Sequence, residues 1–324
     1  MTPKAKTSRK KTSARAAKVR PPITGVLAPV LTPFKEDLRP DPARLIRHCQ
    51  WLLSQGCAGL APFGTTSEGN SLSVEEREDL LERLLAAKID PGRLMPGTGC
   101  CAMADTVRLS KLAARRGCAG VLMLPPFYYK GVSDDGLFRA FAEVIERVGN
   151  DRLRVYLYHI PPVSQVGIGL KLIERLLAAY PKAVAGIKDS SGDWGNTQAV
   201  LSAFAGSGFQ VFVGSERFLL ANMRHGGVGC ITACGNVNPG PIARLFRDWR
   251  TPEAEWLQGE INATRSAIEG HPVIAALKEI VAHHAGDPAW RTVRPPLSPL
   301  SREQAAGLLA ALGQRQFGMP GLTG

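Results

Sequence analysis

The feature that most constrains this chain is a rhythm. Short apolar runs rich in β-branched residues alternate with segments whose apolar residues recur at helical spacing. The strand-like runs fall at residues 23–31, 57–63, 94–98, 120–124, 153–159, 183–188, 209–213 and 228–232. Helical segments at 41–54, 74–87, 104–116, 134–148, 170–179, 197–205 and 218–225 lie between them. Strands that are apolar on both faces and joined by helical crossovers imply a parallel sheet, and eight such units suit a closed (β/α)8 TIM barrel, an α/β fold. An open doubly wound sheet is the alternative, but no GxGxxG follows the first run. Beyond residue 239 the strand-like runs cease and helical segments such as 254–268 and 274–284 follow. The expected organisation is a barrel over 21–238 and a C-terminal helical subdomain over 239–324.

The net charge of +12 is uneven. Of the 40 lysines and arginines, eight stand within residues 1–20, which hold no acid, so the other 304 residues carry 32 basic and 28 acidic side chains. That first segment reads as a disordered basic tail, too poor in apolar residues to fold alone. A lysine-rich arm gains from counterion release on polyanions, yet nothing in the remaining chain asks for nucleic acid as a partner. The tail lacks the hydrophobic core of a secretory signal and makes a poor amphipathic transit helix. No apolar run approaches the roughly 18 residues of a membrane span. Seven cysteines form no CxxC pair, and an odd number of them suggests reduced thiols and a cytoplasmic location. Cys230 and Cys234 read as small packing residues; no metal site is expected.

In a parallel barrel the loops leaving the strands' C-terminal ends converge on one mouth. The run 183–188 stops at Lys188, which on this stretch alone reads first as a solvated strand end and second as a nucleophile. Phe63-Gly64-Thr65-Thr66-Ser67-Glu68 leaves the second run with small and hydroxylated residues. This is either a capped turn or a cradle for an anionic group such as a carboxylate. Tyr128 and Tyr129 end the fourth run and Tyr158 the fifth, where tyrosines commonly pack with a wet hydroxyl. One mouth would gather a lysine, tyrosines and an anion-binding turn.

Gly64-Thr65-Thr66-Ser67-Glu68, Pro126-Phe127-Tyr128-Tyr129, Tyr158-His159-Ile160-Pro161, Gly186-Ile187-Lys188 and Gly226-Gly227-Val228-Gly229-Cys230-Ile231 resemble, in order and spacing, the signatures of the dihydrodipicolinate synthase and N-acetylneuraminate lyase family. The resemblance covers roughly residues 22–315. It implies a barrel with a C-terminal helical subdomain, usually a homotetramer, that binds pyruvate as a lysine imine and makes or cleaves a carbon–carbon bond with an aldehyde. Carried over by position, Lys188 is the imine lysine and Tyr158 the proton-shuttling tyrosine. Thr65 and Thr66 are the carboxylate-binding pair, Tyr128 reaches across a subunit interface, and the backbone at Ile231 supplies a carbonyl near the lysine. Ser190, Glu216 and Arg217 fall near the substrate contacts of the sialic acid lyases, although Glu216 and Arg217 are not their residue types.

That chemistry needs no metal or diffusible cofactor, because the imine is the electron sink. The amine attacks the keto carbon, and a tyrosine within reach delivers the proton on which water departs. Holding the carboxylate fixes the reacting carbon over the lysine. Two departures qualify the resemblance. Ser67 replaces a usual glycine beside the carboxylate turn, and Val163-Ser164-Gln165 stand where synthases place an arginine. The expectation is a Schiff-base lyase or aldolase, with Ser164, Gln165 and Ser190 suiting a hydroxylated partner. A dehydratase of a 2-oxo-3-deoxy sugar acid, a true dihydrodipicolinate synthase and a non-catalytic barrel with a nucleic-acid-binding tail are the alternatives.

Overall fold

The computed structural model describes residues 21–323; the basic segment expected at 1–20 lies outside them. Seven strands run parallel in one sheet: β1 (Gly25–Ala28), β2 (Gly59–Leu60), β3 (Val121–Met123), β4 (Val155–His159), β5 (Val184–Asp189), β6 (Gln210–Val213) and β7 (Gly229–Ile231). Their order is β2-β1-β7-β6-β5-β4-β3. Residues 94–98 join the two ends. Met95 N donates to Leu60 O at 2.8 Å and Gly97 N to Pro62 O at 2.7 Å, while Thr98 N donates to Leu122 O and Leu122 N to Pro96 O, both at 2.9 Å. The sheet thus closes into a barrel. The third run makes isolated bridges to Leu60 and Leu122 rather than a ladder, because Pro96 sits at its centre with no N–H to donate. The first strand is likewise shorter than the apolar run at 23–31. Pro29 interrupts it, and beyond it Asn236 takes over the backbone, accepting from Leu31 N at 3.0 Å and donating to Pro29 O at 3.0 Å.

The barrel is filled, not hollow. Leu27, Ala61, Met95, Leu122, Tyr156, Phe212 and Ile231 form an inner cluster to which β5 contributes no large side chain. Gly186 occupies its place because a Cβ there would stand 2.2 Å from Gln210 O and 2.9 Å from the Tyr156 ring. The Tyr156 hydroxyl, buried with that ring, donates to Gln210 Oε1 at 2.5 Å, and Gln210 Nε2 donates to Ile23 O at 3.0 Å. The floor of the barrel is therefore a satisfied polar pair inside an apolar layer.

Helices α1 (Pro42–Ser54), α2 (Val74–Ala86), α3 (Met103–Arg116), α4 (Asp134–Val148), the single turn α5 (Pro161–Ser164), α6 (Leu170–Ala179), α7 (Trp194–Phe204), α8 (Leu219–Arg224) and α9 (Pro239–Asp248) follow the strands. Their starts carry the expected chemistry: Asp41, Ser133 and Asp193 cap α1, α4 and α7, and Ser73 forms a capping box with Glu76 on α2. The turn α5 opens on two prolines, which supply the fixed φ of a first turn in a stretch too short to read as a helix. Helix α9, grouped in sequence with the C-terminal region, packs against β1 and completes the ring of eight. Helices α10 (Ala254–Glu269), α11 (Val273–Ala285) and α12 (Arg302–Gln314) follow as a helical C-terminal region. No described helix is long and apolar enough to cross a membrane.

Candidate active site

Lys188 and Tyr158 are register partners on adjacent strands β5 and β4. Strand alternation points both side chains inward, two residues beyond Gly186 and Tyr156, so they lie above the inner cluster toward the C-terminal mouth. Lys188 is 4% exposed and Tyr158 3%. The Lys188 amino group donates to Tyr158 Oη at 3.3 Å and sits 4.3 Å from the centre of the phenol ring. The Tyr158 hydroxyl donates in turn to Thr65 Oγ1 at 3.2 Å. An amine, a phenol and the turn after β2 form one hydrogen-bonded line.

That turn folds tightly back on itself. Phe63 (φ 66°) and Glu68 (φ 54°) are left-handed without being glycine, a conformation that persists only where the surroundings impose it. Gly69 N donates to Gly64 O at 2.9 Å, and a side chain on Gly69 would meet Phe63 O at 2.1 Å. The result leaves Thr65 and Thr66 half-buried. Ser67 is fully buried; its carbonyl accepts from Thr32 Oγ1 at 2.7 Å, but its hydroxyl has no partner among the described residues.

Other residues singled out in sequence lie at varying removes from this line. Ser190, two beyond Lys188 on the same inward face, lies under the β6–α8 turn, where a Cβ on Gly214 would stand 2.0 Å from its Oγ. Ile231 belongs to the inner cluster. Tyr128 is 74% exposed in the single chain and packs edge-on against Tyr129, ring centres 5.4 Å apart. Glu216 is 1% exposed and is engaged elsewhere: Thr232 Oγ1 donates to its Oε2, and Arg265 of α10 pairs with it at 2.6 Å. Thr232 follows the inward Ile231 and so faces the outer layer, taking the Glu216 carboxylate with it. Arg217 donates to Glu269 at 2.6 Å and to Ser266 at 2.9 Å, both on α10. The Ser164 hydroxyl lies 3.0 Å from the carbonyls of Ile160 and Val166, so it serves the local turn.

Sequence reading missed Lys130. Its amino group donates to Phe127 O and, at 2.8 Å, to Ser164 O, tying the loop after β3 to the loop after β4. Nothing in its spacing signalled this, since the two loops are brought together only by strand pairing. Cys230 and Cys234 are buried, and burial pushes both thiols up. Among the described residues no group of three or more His, Cys, Asp or Glu side chains could hold a metal ion.

A parallel barrel with a buried lysine and tyrosine in contact at its C-terminal end defines a class of lysine-bearing (β/α)8 enzyme. The comparisons narrow it. Residues 22–315 match the dihydrodipicolinate synthetase family, and the chain belongs to that family; it is a lyase of the aldolase type. Over 290 residues it is 34% identical to an uncharacterized DapA-like lyase of Chloroflexus aurantiacus, covering 89% of this chain and 95% of the relative. The crystal structure of dihydrodipicolinate synthase from Agrobacterium tumefaciens superposes with a TM-score of 0.84 at 34% identity, covering 90% of this chain and 99% of the other. A prophage protein of the same family from E. coli K12, solved in complex with pyruvate, gives 0.83 at 27% identity, covering 91% and 99%.

Proposed function

We propose that this lyase works through an imine between Lys188 and pyruvate, with Tyr158 as the proton carrier and Thr65 and Thr66 holding the pyruvate carboxylate. The observation that carries this reading is the line from Lys188 Nζ through Tyr158 Oη to Thr65 Oγ1, with steps of 3.3 and 3.2 Å. The Lys188 amine attacks C2 of the 2-oxo acid. Tyr158 gives its proton to the departing hydroxyl, water leaves, and the protonated imine remains. The Tyr158 phenolate then takes a proton from C3, giving an enamine, and returns it to the new hydroxyl as the enamine adds to an aldehyde; run backwards, the same steps cleave the product into pyruvate and aldehyde. The imine itself is the electron sink, so the cycle calls for no separate cofactor.

The second substrate we infer to be a hydroxylated or otherwise neutral aldehyde rather than aspartate semialdehyde. A carboxylate on that partner would want a cation at 163–165. Val163 is exposed and apolar there, Arg217 is bound to α10, and the Lys130 amino group is held by two backbone carbonyls. The exposed Tyr128, Tyr129, Val132 and Val163 suit burial by further copies of the chain in a homotetramer, and seven free cysteines suit the cytoplasm.

Borohydride added with pyruvate should trap one covalent adduct, at Lys188. Labelling elsewhere, or none, sinks the mechanism. A panel of 2-oxo-3-deoxy acids with pyruvate release as readout identifies the lyase substrate, and release of water without aldehyde would indicate a dehydratase. In a coupled synthase assay kcat/KM should fall short by roughly 10- to 150-fold, the loss expected when a charge-assisted contact is missing.

A further inference from the structure

The C-terminal helices reach the catalytic turn through one buried ion pair. Lys278 on α11 and Glu68 in the turn after β2 lie 210 residues apart, in contact, with both side chains at 0% exposure. The Lys278 amino group also donates to Thr292 O at 2.7 Å and sits 4.5 Å from the centre of the Phe34 ring. The second Glu68 oxygen accepts from Arg294 N at 2.9 Å. Arg294 extends the clasp: it pairs bidentately with Glu76 at 2.5 and 2.7 Å and donates to Ser71 O at 2.5 Å. Arg77 of α2 donates to Gly69 O. Burial pushes Lys278 down to about 8 while Glu68 opposes that shift.

A buried ion pair is weak evidence of stability, since desolvating two charges offsets most of their attraction. Two apolar side chains would fasten a helix to a barrel as well. What they could not do is hold the carboxylate of a left-handed glutamate from a fixed direction. Glu68 adopts φ 54° without being glycine, and it lies two residues from Thr66 and three from Thr65, to which its own N–H donates at 3.0 Å. We propose that Lys278 is a positioning residue for the reaction: it clamps Glu68, which fixes the 64–69 turn and thereby sets Thr65 and Thr66 at the distance from Lys188 that the pyruvate carboxylate requires. The inference rests on the reading of Thr65 and Thr66 as the carboxylate site.

The readout is the pyruvate concentration that gives half-maximal borohydride trapping at Lys188, measured well below the lowest unfolding midpoint of the set. Lys278→Met and Glu68→Gln should each raise it about 10-fold or more, because a small misplacement of a positioning group weakens alignment steeply. The double variant should do no worse than the more affected single one, since both break the same link. Lys278→Arg, which keeps the charge, should restore most of the loss; it and Glu68→Gln carry the test if Lys278→Met does not fold. Lowered midpoints with unchanged half-saturation would make the pair a brace and overturn the inference. An absent adduct in the parent protein would overturn the imine reading and this inference with it. An adduct in the parent and unaltered half-saturation in every variant would remove this inference alone.

Discussion

Tyr158 stands between Lys188 and Thr65: its hydroxyl receives from the lysine at 3.3 Å and gives to the threonine at 3.2 Å. That line offers a short route for a proton passed to or from a group on Lys188. Tyr158→Phe removes that route while keeping the ring that packs under the amine. It should lower kcat by about 10²- to 10⁴-fold, the usual effect of deleting a positioned acid or base, with the circular dichroism spectrum unchanged. Steady-state pyruvate release on the best substrate of the panel checks it; an unaltered rate assigns the proton transfer to another group.

Ser67→Ala separates packing from binding. A buried hydroxyl without a partner among the described residues costs stability, so its removal should leave the unfolding midpoint unchanged or raise it by the equivalent of about 1 kcal/mol. If the hydroxyl helps hold the substrate, the half-saturating pyruvate concentration rises in the same variant. Unchanged pyruvate binding would show that Ser67 merely fills the space beside the turn.

Gly186→Ala should destabilise the barrel by about 1–3 kcal/mol, the range for overpacking a well-filled core. The added methyl meets Gln210 O, a backbone atom that cannot swing aside, at 2.2 Å. As a control, Gly259 in α10 is exposed and has nothing within 4 Å of an added Cβ, so Gly259→Ala should stabilise by up to about 1 kcal/mol. Urea denaturation midpoints distinguish the two.

His48 predicts a loss of stability in mild acid. It lies buried on α1, stacked on Trp51 and edge-on to Trp290, with Nε2 3.2 Å from Asn236 Oδ1. The Asn236 amide nitrogen donates to Pro29 O and Ala233 O, so its oxygen faces His48 and the ring carries its proton on Nε2. Burial pushes the ring down to about 4, against an ordinary 6.5. Between those values the unfolded chain binds a proton that the folded one refuses. Stability is therefore full above about pH 6.5 and falls as pH drops toward 4, by about 2 kcal/mol at pH 5 from this group. Glu76 and Asp287 are held below their ordinary carboxylate values and lose their contribution only at lower pH. His159, also pushed down by burial, adds a loss of the same sign. Denaturation at pH 7 and pH 5 should show a smaller drop in His48→Gln than in the parent; equal drops would clear His48 of the effect.

The sequence by itself determined the alternation and which residue types gather at the mouth. Periodicity and the residues of a first turn are local properties, so the parallel order, the start of α1 at Asp41 and the placing of Lys188 at a strand end were legible one segment at a time, whereas α7 begins at Trp194, ahead of the 197 that periodicity suggested. Short-range chemistry also marked the turn holding Thr65 and Thr66. Which partner a side chain finds depends instead on register and on closure of the ring, and these the tertiary structure decided. It turned Glu216 outward to Arg265, 49 residues on, and fastened Arg217 to α10. It reduced the run at 94–98 to isolated bridges between Leu60 and Leu122, and set Asn236 against His48 across 188 residues. Lys278 read as one more lysine on a C-terminal helix; only a closed barrel, with α11 packed beside the turn after β2, could bring it to Glu68.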